Sequence, residues 1–384
     1  MEKLPKKLQS KLAEREVGNA LRFLPAQRDL IDFSSNDYLG LARNEEISKK
    51  ALRLVKNVSP KNGATGSRLL TGNHKLYNQL EDFLTRHHGS ESALVFNSGY
   101  DANIGFFSSV PQRSDIVLYD ELAHASIRDG IQMGHAKSYK FAHNDLQDLE
   151  QKIKAFRAQS RSELEIYVVT ESIFSMDGDS PDLRSLAILC KEQNCFLVVD
   201  EAHATGIFGQ GRDLVSQLGL QNEVFARLIT FGKAIGCHGA AILGSQPLKE
   251  YLVNFSRSFI YTTALSPHAV VSVLSAYQYL KEQGEPVIQS LQENISFFKS
   301  ESVRLQLSER FIQSNSAIHC AIIPGNTKVK HMARELQLQG FDVKPILSPT
   351  VKEGGERLRF CLHAFNTKEE ISRILSLLKN LMEG

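Results

Sequence analysis

"CFLVVDEAHATG", residues 195–206, is an apolar run that stops at two acids, with a histidine three positions after the first. A strand that is apolar at successive positions is covered on both faces, as the strands of a parallel sheet are. In open sheets of that kind ligands gather outside the C-terminal strand ends. Asp200, Glu201 and His203 fall at such an end. Two readings of them stand at this point. A carboxylate at the mouth of a buried strand suits a cationic partner, a metal or a protonated pyridine nitrogen, with His203 donating to a neighbouring oxygen. The same residues also suit a cap for the next helix or a surface pair.

Comparable short runs recur at "ALVF" (93–96), "DIVLYD" (115–120), "KSYKF" (137–141), "EIYVVTES" (165–172), "RLITFG" (227–232) and "AAILG" (240–244). Amphipathic stretches separate them. In "NDLQDLEQKIKAFRAQS" (144–160) an asparagine cap precedes Leu146, Leu149, Ile153 and Phe156 at helical spacing, and "DLRSLAILCKEQN" (182–194) behaves the same way. Alternating strands and helices predict an α/β fold with one seven-stranded, mostly parallel sheet. After residue 285 the pattern changes to a long helix, the run "AIHCAIIP", a helix, "LRFCLHA" and a last helix. This predicts a smaller C-terminal α+β domain, with boundaries at 1–45 for an N-terminal segment, 46–285 for the large domain and 286–384 for the small one.

The chain is long enough for two domains and a sizeable core: 384 residues, 42% hydrophobic and 23% charged. A formal net charge of +2 gives no reason to expect nucleic acid or an anionic membrane as partner, so any anion is caught locally. The five cysteines show no metal-ligand spacing, which predicts free thiols, no metal site and a reducing cytoplasm. "MEKLPKKLQSKLAEREVGN" has no apolar core of the signal-peptide kind, and no stretch reaches 18 apolar residues. The expectation is a cytoplasmic chain without a membrane span.

Other strand ends carry chemistry too. Lys233 follows "RLITF" between Gly232 and Gly236. A desolvated lysine there would offer a neutral amine as nucleophile or base, whereas a plain strand-end lysine would reach water along its stem. "VFNSGYDANIG" (95–105) passes from a strand through Ser98, Gly99 and Tyr100 into a predicted helix, whose positive end suits a phosphate. It has neither the GxGxxG pattern nor a Walker lysine, which favours a cofactor with one phosphate over a nucleotide. "YDELAHASIRDG" (119–130) sets His124 at the same edge. A lysine, an acid, two histidines and a phosphate cradle at the ends of one sheet are the set that pyridoxal phosphate needs.

The segments "SSNDYLGLA" (34–42), "FNSGYDAN" (96–103), "DELAHASI" (120–127), "ESIFSMDGD" (171–179), "VVDEAHATG" (198–206) and "TFGKAIG" (230–236), in this order, resemble the α-oxoamine synthases, fold-type I pyridoxal-phosphate enzymes. The resemblance runs from about residue 20 to the C-terminus. It implies that Lys233 carries the cofactor as a Schiff base and later moves the substrate α-proton. It implies that Asp200 pairs with the pyridine nitrogen and that His124 stacks on the ring beside the substrate. His203 and Ser175 would contact the phenolic oxygen, with Ser98, Gly99, Tyr100 and Thr230 near the cofactor and its phosphate. Family members are homodimers with shared active sites, and "YTTALSP" (261–267) resembles the segment that sends a hydroxyl, of Thr262 or Thr263, to the neighbour's phosphate. Asn36 and Arg359 match positions that hold the amino-acid carboxylate.

The family joins an amino acid to an acyl thioester, releases carbon dioxide and leaves an α-amino ketone. "KFAHND" (140–145), "FSMDGD" and "TFGKAIGCHGAAILG" look most like the branch that uses L-alanine and a pimeloyl thioester, carried on coenzyme A or on an acyl carrier protein. Arg22 and Thr350 match substrate-contacting positions of that branch. Branches that use glycine with an acetyl group or serine with a palmitoyl group are the alternatives, and a cofactor-binding protein without turnover is the remote one. "GQGRDLVSQ" and His238 depart from the branch's pattern and bear on the acyl tunnel.

Overall fold

The computed structural model describes residues 4–24, 29–58, 62–159 and 164–383. The chain forms two compact units. The larger comprises residues 37–175 and 180–289; the smaller joins residues 1–36 and 176–179 to 290–384. The N-terminal segment up to Asn36 therefore shares a unit with the C-terminal part of the chain.

The larger unit is built on a seven-stranded sheet. Its strands are β1 (Ser92–Phe96), β2 (Ile116–Asp120), β3 (Lys137–Phe141), β4 (Ile166–Glu171), β5 (Phe196–Asp200), β6 (Ala226–Thr230) and β7 (Ala240–Gly244). They lie in the order β1-β7-β6-β5-β4-β2-β3. The pairs from β6 to β3 are parallel, whereas β7 runs antiparallel to both β6 and β1. The reversal follows from the link: residues 231–239 are too few for a crossover, which takes a dozen or more.

The apolar runs are explained by coverage on both faces. Val169 and Val198 pack with Phe106, Ile127 and Leu252 on one face. Their neighbours Val168 and Val199 pack with Leu149, Ile153 and Leu186 on the other. Each such fully buried side chain contributes about 1.5–3 kcal/mol by leaving water. The edge strand β3 differs: Lys137 to Lys140 are exposed and only Phe141 is buried. Lysines on an open edge discourage pairing with another chain.

The helix over Leu146–Gln159 forms as its periodicity requires, and position 160 of the expected stretch lies outside the described residues. Its start differs by one residue. Asn144 adopts a left-handed φ of 54°, and the Asp145 carboxylate accepts from the N–H groups of Gln147 and Asp148. Asp182 caps the helix Leu183–Glu192 by accepting from the Ser185 N–H.

In the smaller unit Ile318–Ile322, Lys344–Ile346 and Arg357–Cys361 form an antiparallel sheet with Arg357–Cys361 in the centre. Ile31–Asp32 pairs in parallel with Phe341–Asp342. The helices Lys6–Val17, Asn326–Leu338 and Lys368–Glu383 and most of Glu285–Arg304 belong to it too. All five cysteines are free. Among the described residues, no helix is long and apolar enough to cross a membrane.

Candidate active site

The C-terminal ends of β1, β2, β4, β5 and β6 deliver their chemistry to one place. A cavity of about 220 Å³ is lined by Ser98, Gly99, Tyr100, His124, Asp200, Thr230 and Lys233, together with Asn103, Ser126, Glu171 and His238. Parallel strands put these ends on the same edge of the sheet, so residues far apart in sequence become neighbours.

Ser98 caps the helix Gly99–Phe107, its hydroxyl accepting from the Asp101 N–H at 3.0 Å. Gly99 and Tyr100 form the first turn, where helix N–H groups lack acceptors within the helix. That turn packs tightly on β6: a Cβ at Gly99 would come within 2.7 Å of the Thr230 methyl. Asn97, just before it, donates to the Thr262 hydroxyl at 2.9 Å and the Thr263 carbonyl at 2.7 Å. Neither threonine is among the lining residues of the cavity.

Lys233 Nζ lies 2.7 Å from Nε2 of His203, whose Nδ1 is 2.7 Å from the Tyr38 hydroxyl. His203 thus reaches the site through Lys233 without lining the cavity, and Ser175 does not line it either. Gly232 borders the cavity with open space where a Cβ would point, apart from the Cys237 carbonyl at 3.7 Å. Gly236 serves another purpose. Its φ is 68°, and a Cβ there would meet the Ala42 backbone nitrogen at 2.2 Å.

His124 caps the helix Ala125–Met133, and its Nδ1 accepts from the Ser126 N–H at 3.2 Å. Burial lowers the affinity of its ring for a second proton; the Asp200 charge opposes this and Lys233 adds to it. The His124 N–H donates to Glu171 Oε1 at 2.7 Å. Glu171 is paired in register with Asp200 on the adjacent strand. Burial, reinforced by the Asp200 charge, pushes its carboxyl up to about 8, so it holds its proton at neutral pH.

The smaller unit contains the remaining expected residues in two pairs. Arg359 is buried and donates to Asn36 Oδ1 at 3.1 Å and to the Cys361 sulfur at 2.9 Å. Arg22 donates to the Thr350 hydroxyl at 3.1 Å.

Glu171, Asn103 and Ser126 are lining residues that the sequence reading does not single out. Glu171 carries the same signal as Asp200, an acid that ends an apolar run. Asn103 stands one helical turn beyond Gly99 and hence on the same face. Ser126 has no local signal.

The aminotransferase class I and II family model matches residues 28–378. The chain belongs to this family. It is 36% identical over 378 residues to the 8-amino-7-oxononanoate synthase of Emericella nidulans, an alignment that covers 94% of this chain and 91% of the relative. The solved 8-amino-7-oxononanoate synthase of Francisella tularensis is 26% identical, with a TM-score of 0.77 over 92% of this chain and 98% of that one. A serine palmitoyltransferase from S. paucimobilis, solved with a bound adduct of pyridoxal phosphate and myriocin, has a TM-score of 0.87 at 23% identity. The latter covers 98% of this chain and 97% of its own, and shares the fold. Within the family the chain is an α-oxoamine synthase, an acyltransferase on a pyridoxal-phosphate-dependent fold.

The cavity's own chemistry fits pyridoxal phosphate. It offers an amine at Lys233, a helix N-terminus at Gly99 and Tyr100 for an anion, and a carboxylate at Asp200 for a ring nitrogen.

Proposed function

We propose that this enzyme joins L-alanine to a pimeloyl thioester, giving 8-amino-7-oxononanoate, carbon dioxide and the free thiol, a step of biotin synthesis. The support is the 36% identity to a named 8-amino-7-oxononanoate synthase over 94% of the chain. Pyridoxal phosphate, when bound, supplies the electron sink for negative charge at the amino acid's α-carbon.

The chain's residues do the rest. Lys233 Nζ would hold the cofactor, and it is the base that takes the α-proton and returns one to the product. His203, 2.7 Å from that nitrogen, accepts and gives back its proton. Asp200 offers its carboxylate to the ring nitrogen; Ala202 N–H at 2.9 Å and Asn103 at 2.9 Å hold the two oxygens in place. His124 covers the ring face, and Ser175 joins His203 at the phenolic oxygen. Ser98, Gly99, Tyr100 and Thr230 take the phosphate side. Arg359 and Asn36 bind the amino-acid carboxylate through the guanidinium fork, and Arg22 with Thr350 contacts the acyl substrate. The enzyme works in the cytoplasm as a homodimer in which Thr262 or Thr263 serves the partner's phosphate.

Purified enzyme given L-alanine and pimeloyl thioesters of coenzyme A and of acyl carrier protein should release carbon dioxide and free thiol. A second reading, serine with a palmitoyl thioester, draws on the higher TM-score of the serine palmitoyltransferase, 0.87 against 0.77. Preference for serine with palmitoyl, or for glycine with acetyl, would replace the substrates and leave the residue roles standing.

A further inference from the structure

Asp200 and His124 reach the cavity from different strands, and one side chain joins them. Asn103 is 3% exposed, and its Nδ2 lies 2.9 Å from Oδ2 of Asp200 and 3.0 Å from Oγ of Ser126. An amide nitrogen carries two hydrogens and here meets two acceptors, so its donor capacity is filled. The opposite orientation would set the amide oxygen against a carboxylate oxygen, which fixes the end that faces Asp200.

The hydroxyl of Ser126 accepts from Asn103, so its own hydrogen turns to Nδ1 of His124 at 2.8 Å. The Ser126 N–H also donates to that Nδ1, and a backbone N–H cannot accept. The ring proton of His124 therefore sits on Nε2. Donation runs one way, from Asn103 to Ser126 to His124, while the other branch of the fork ends on Asp200. No other side chain touches both branches among these bonds.

We propose that Asn103 is a positioning residue which, from one amide nitrogen, sets both the orientation of the Asp200 carboxylate and, through Ser126, the tautomer of His124. The inference rests on the reading of Asp200 as the partner of the cofactor's ring nitrogen.

The test uses the full chain with Asn103→Leu, Asn103→Asp and Ser126→Ala, read by titration of the visible cofactor band and by ¹⁵N NMR of labelled histidine. The wild type should show His124 protonated at Nε2 with an acceptor Nδ1. Both Asn103 variants should weaken pyridoxal phosphate by about tenfold to hundredfold, the effect of losing one hydrogen bond to a charged group. In Asn103→Asp the Ser126 hydroxyl should turn to the new carboxylate, and the His124 Nδ1 resonance should move. Ser126→Ala should move the same resonance and change cofactor affinity by less than about threefold, which separates the branches even where Asn103→Leu fails to fold. Unchanged affinity in a folded Asn103 variant, or a wild-type His124 protonated at Nδ1, would overturn the proposal. A wild type that binds no pyridoxal phosphate would sink the functional reading instead, and the NMR arm would still judge Asn103.

Discussion

Two polar clusters in the larger unit, each with a histidine and an aspartate, serve opposite ends. Beside the cavity stand His124, Asp200, Asn103 and Lys233. Away from it, His88 contacts Asp213 at 2.6 Å, Arg227 donates to Asp213 Oδ2 at 3.0 Å, and the Tyr277 hydroxyl lies 3.1 Å from His88 Nε2. Strand β6 reaches both places, with Arg227 near its start in the second cluster and Thr230 at its end lining the cavity. Burial alone would raise the Asp213 carboxyl, yet His88 and Arg227 outweigh it and hold Asp213 well below the usual carboxylate range. Burial also lowers the His88 ring, so a neutral imidazole donates to Asp213 and accepts from Tyr277. His88, Asp213, Arg227 and Tyr277 are all buried, so this second cluster is a structural tie. The first borders a cavity, and there Lys233 and Asp200 can meet a ligand. A His–Asp pair becomes chemistry only where space adjoins it.

The contrast is sharpest in Lys233→Ala. Loss of an essential nucleophile and base should cut turnover by on the order of 10⁴-fold or more and abolish the visible cofactor band, while thermal stability of the cofactor-free protein changes little. Carbon dioxide release and absorbance check it.

In the sealed cluster the loss should appear in stability. Asp213→Ala leaves Arg227 buried without its carboxylate and should cost about 3–5 kcal/mol, read by denaturant unfolding. Cofactor affinity of the folded fraction should stay the same; a selective loss of cofactor would break the comparison.

Glu171 makes a finer distinction. Its carboxyl is at about 8 in the folded chain against 4.5 as the ordinary value. Between those values the native state holds a proton that the unfolded chain has lost. The stability this group contributes is therefore complete below its ordinary value and is lost as pH rises through about 8. Glu171→Gln should flatten the stability curve of the cofactor-free protein by up to ~1.4 kcal/mol per pH unit in that window. Parallel curves for the variant and the wild type would show that Glu171 is ionised when folded.

The smallest effect is expected for Tyr38→Phe, which removes the 2.7 Å contact to His203. A single neutral hydrogen bond is worth about 0.5–1.5 kcal/mol. The pH profile of turnover should shift with no loss of cofactor; a hundredfold fall would place Tyr38 in the chemistry itself.

Much of this was legible along the chain. Runs such as "IYVVTE" and "FLVVD" announce strands covered on both faces, and β4 and β5 form there. Strand direction was not: "AAILG" reads alike either way, and only the short link to β6 makes β7 antiparallel. The cap at Asp145 and the use of Gly236 also escaped a linear reading, because each depends on a backbone conformation that composition leaves open. Glu171 had the signal of Asp200 and lacked a reason to be chosen until the register set the two side by side.

The sequence alone determined which segments are strands and which residues bear reactive groups, since hydrophobic periodicity and side-chain chemistry are local. Tertiary structure decided which of those groups meet. Asn103 and Asp200 are 97 residues apart and share a hydrogen bond. That bond exists because strand order brings two helix and strand ends to one edge, and a hydrogen bond needs its partners within about 3 Å.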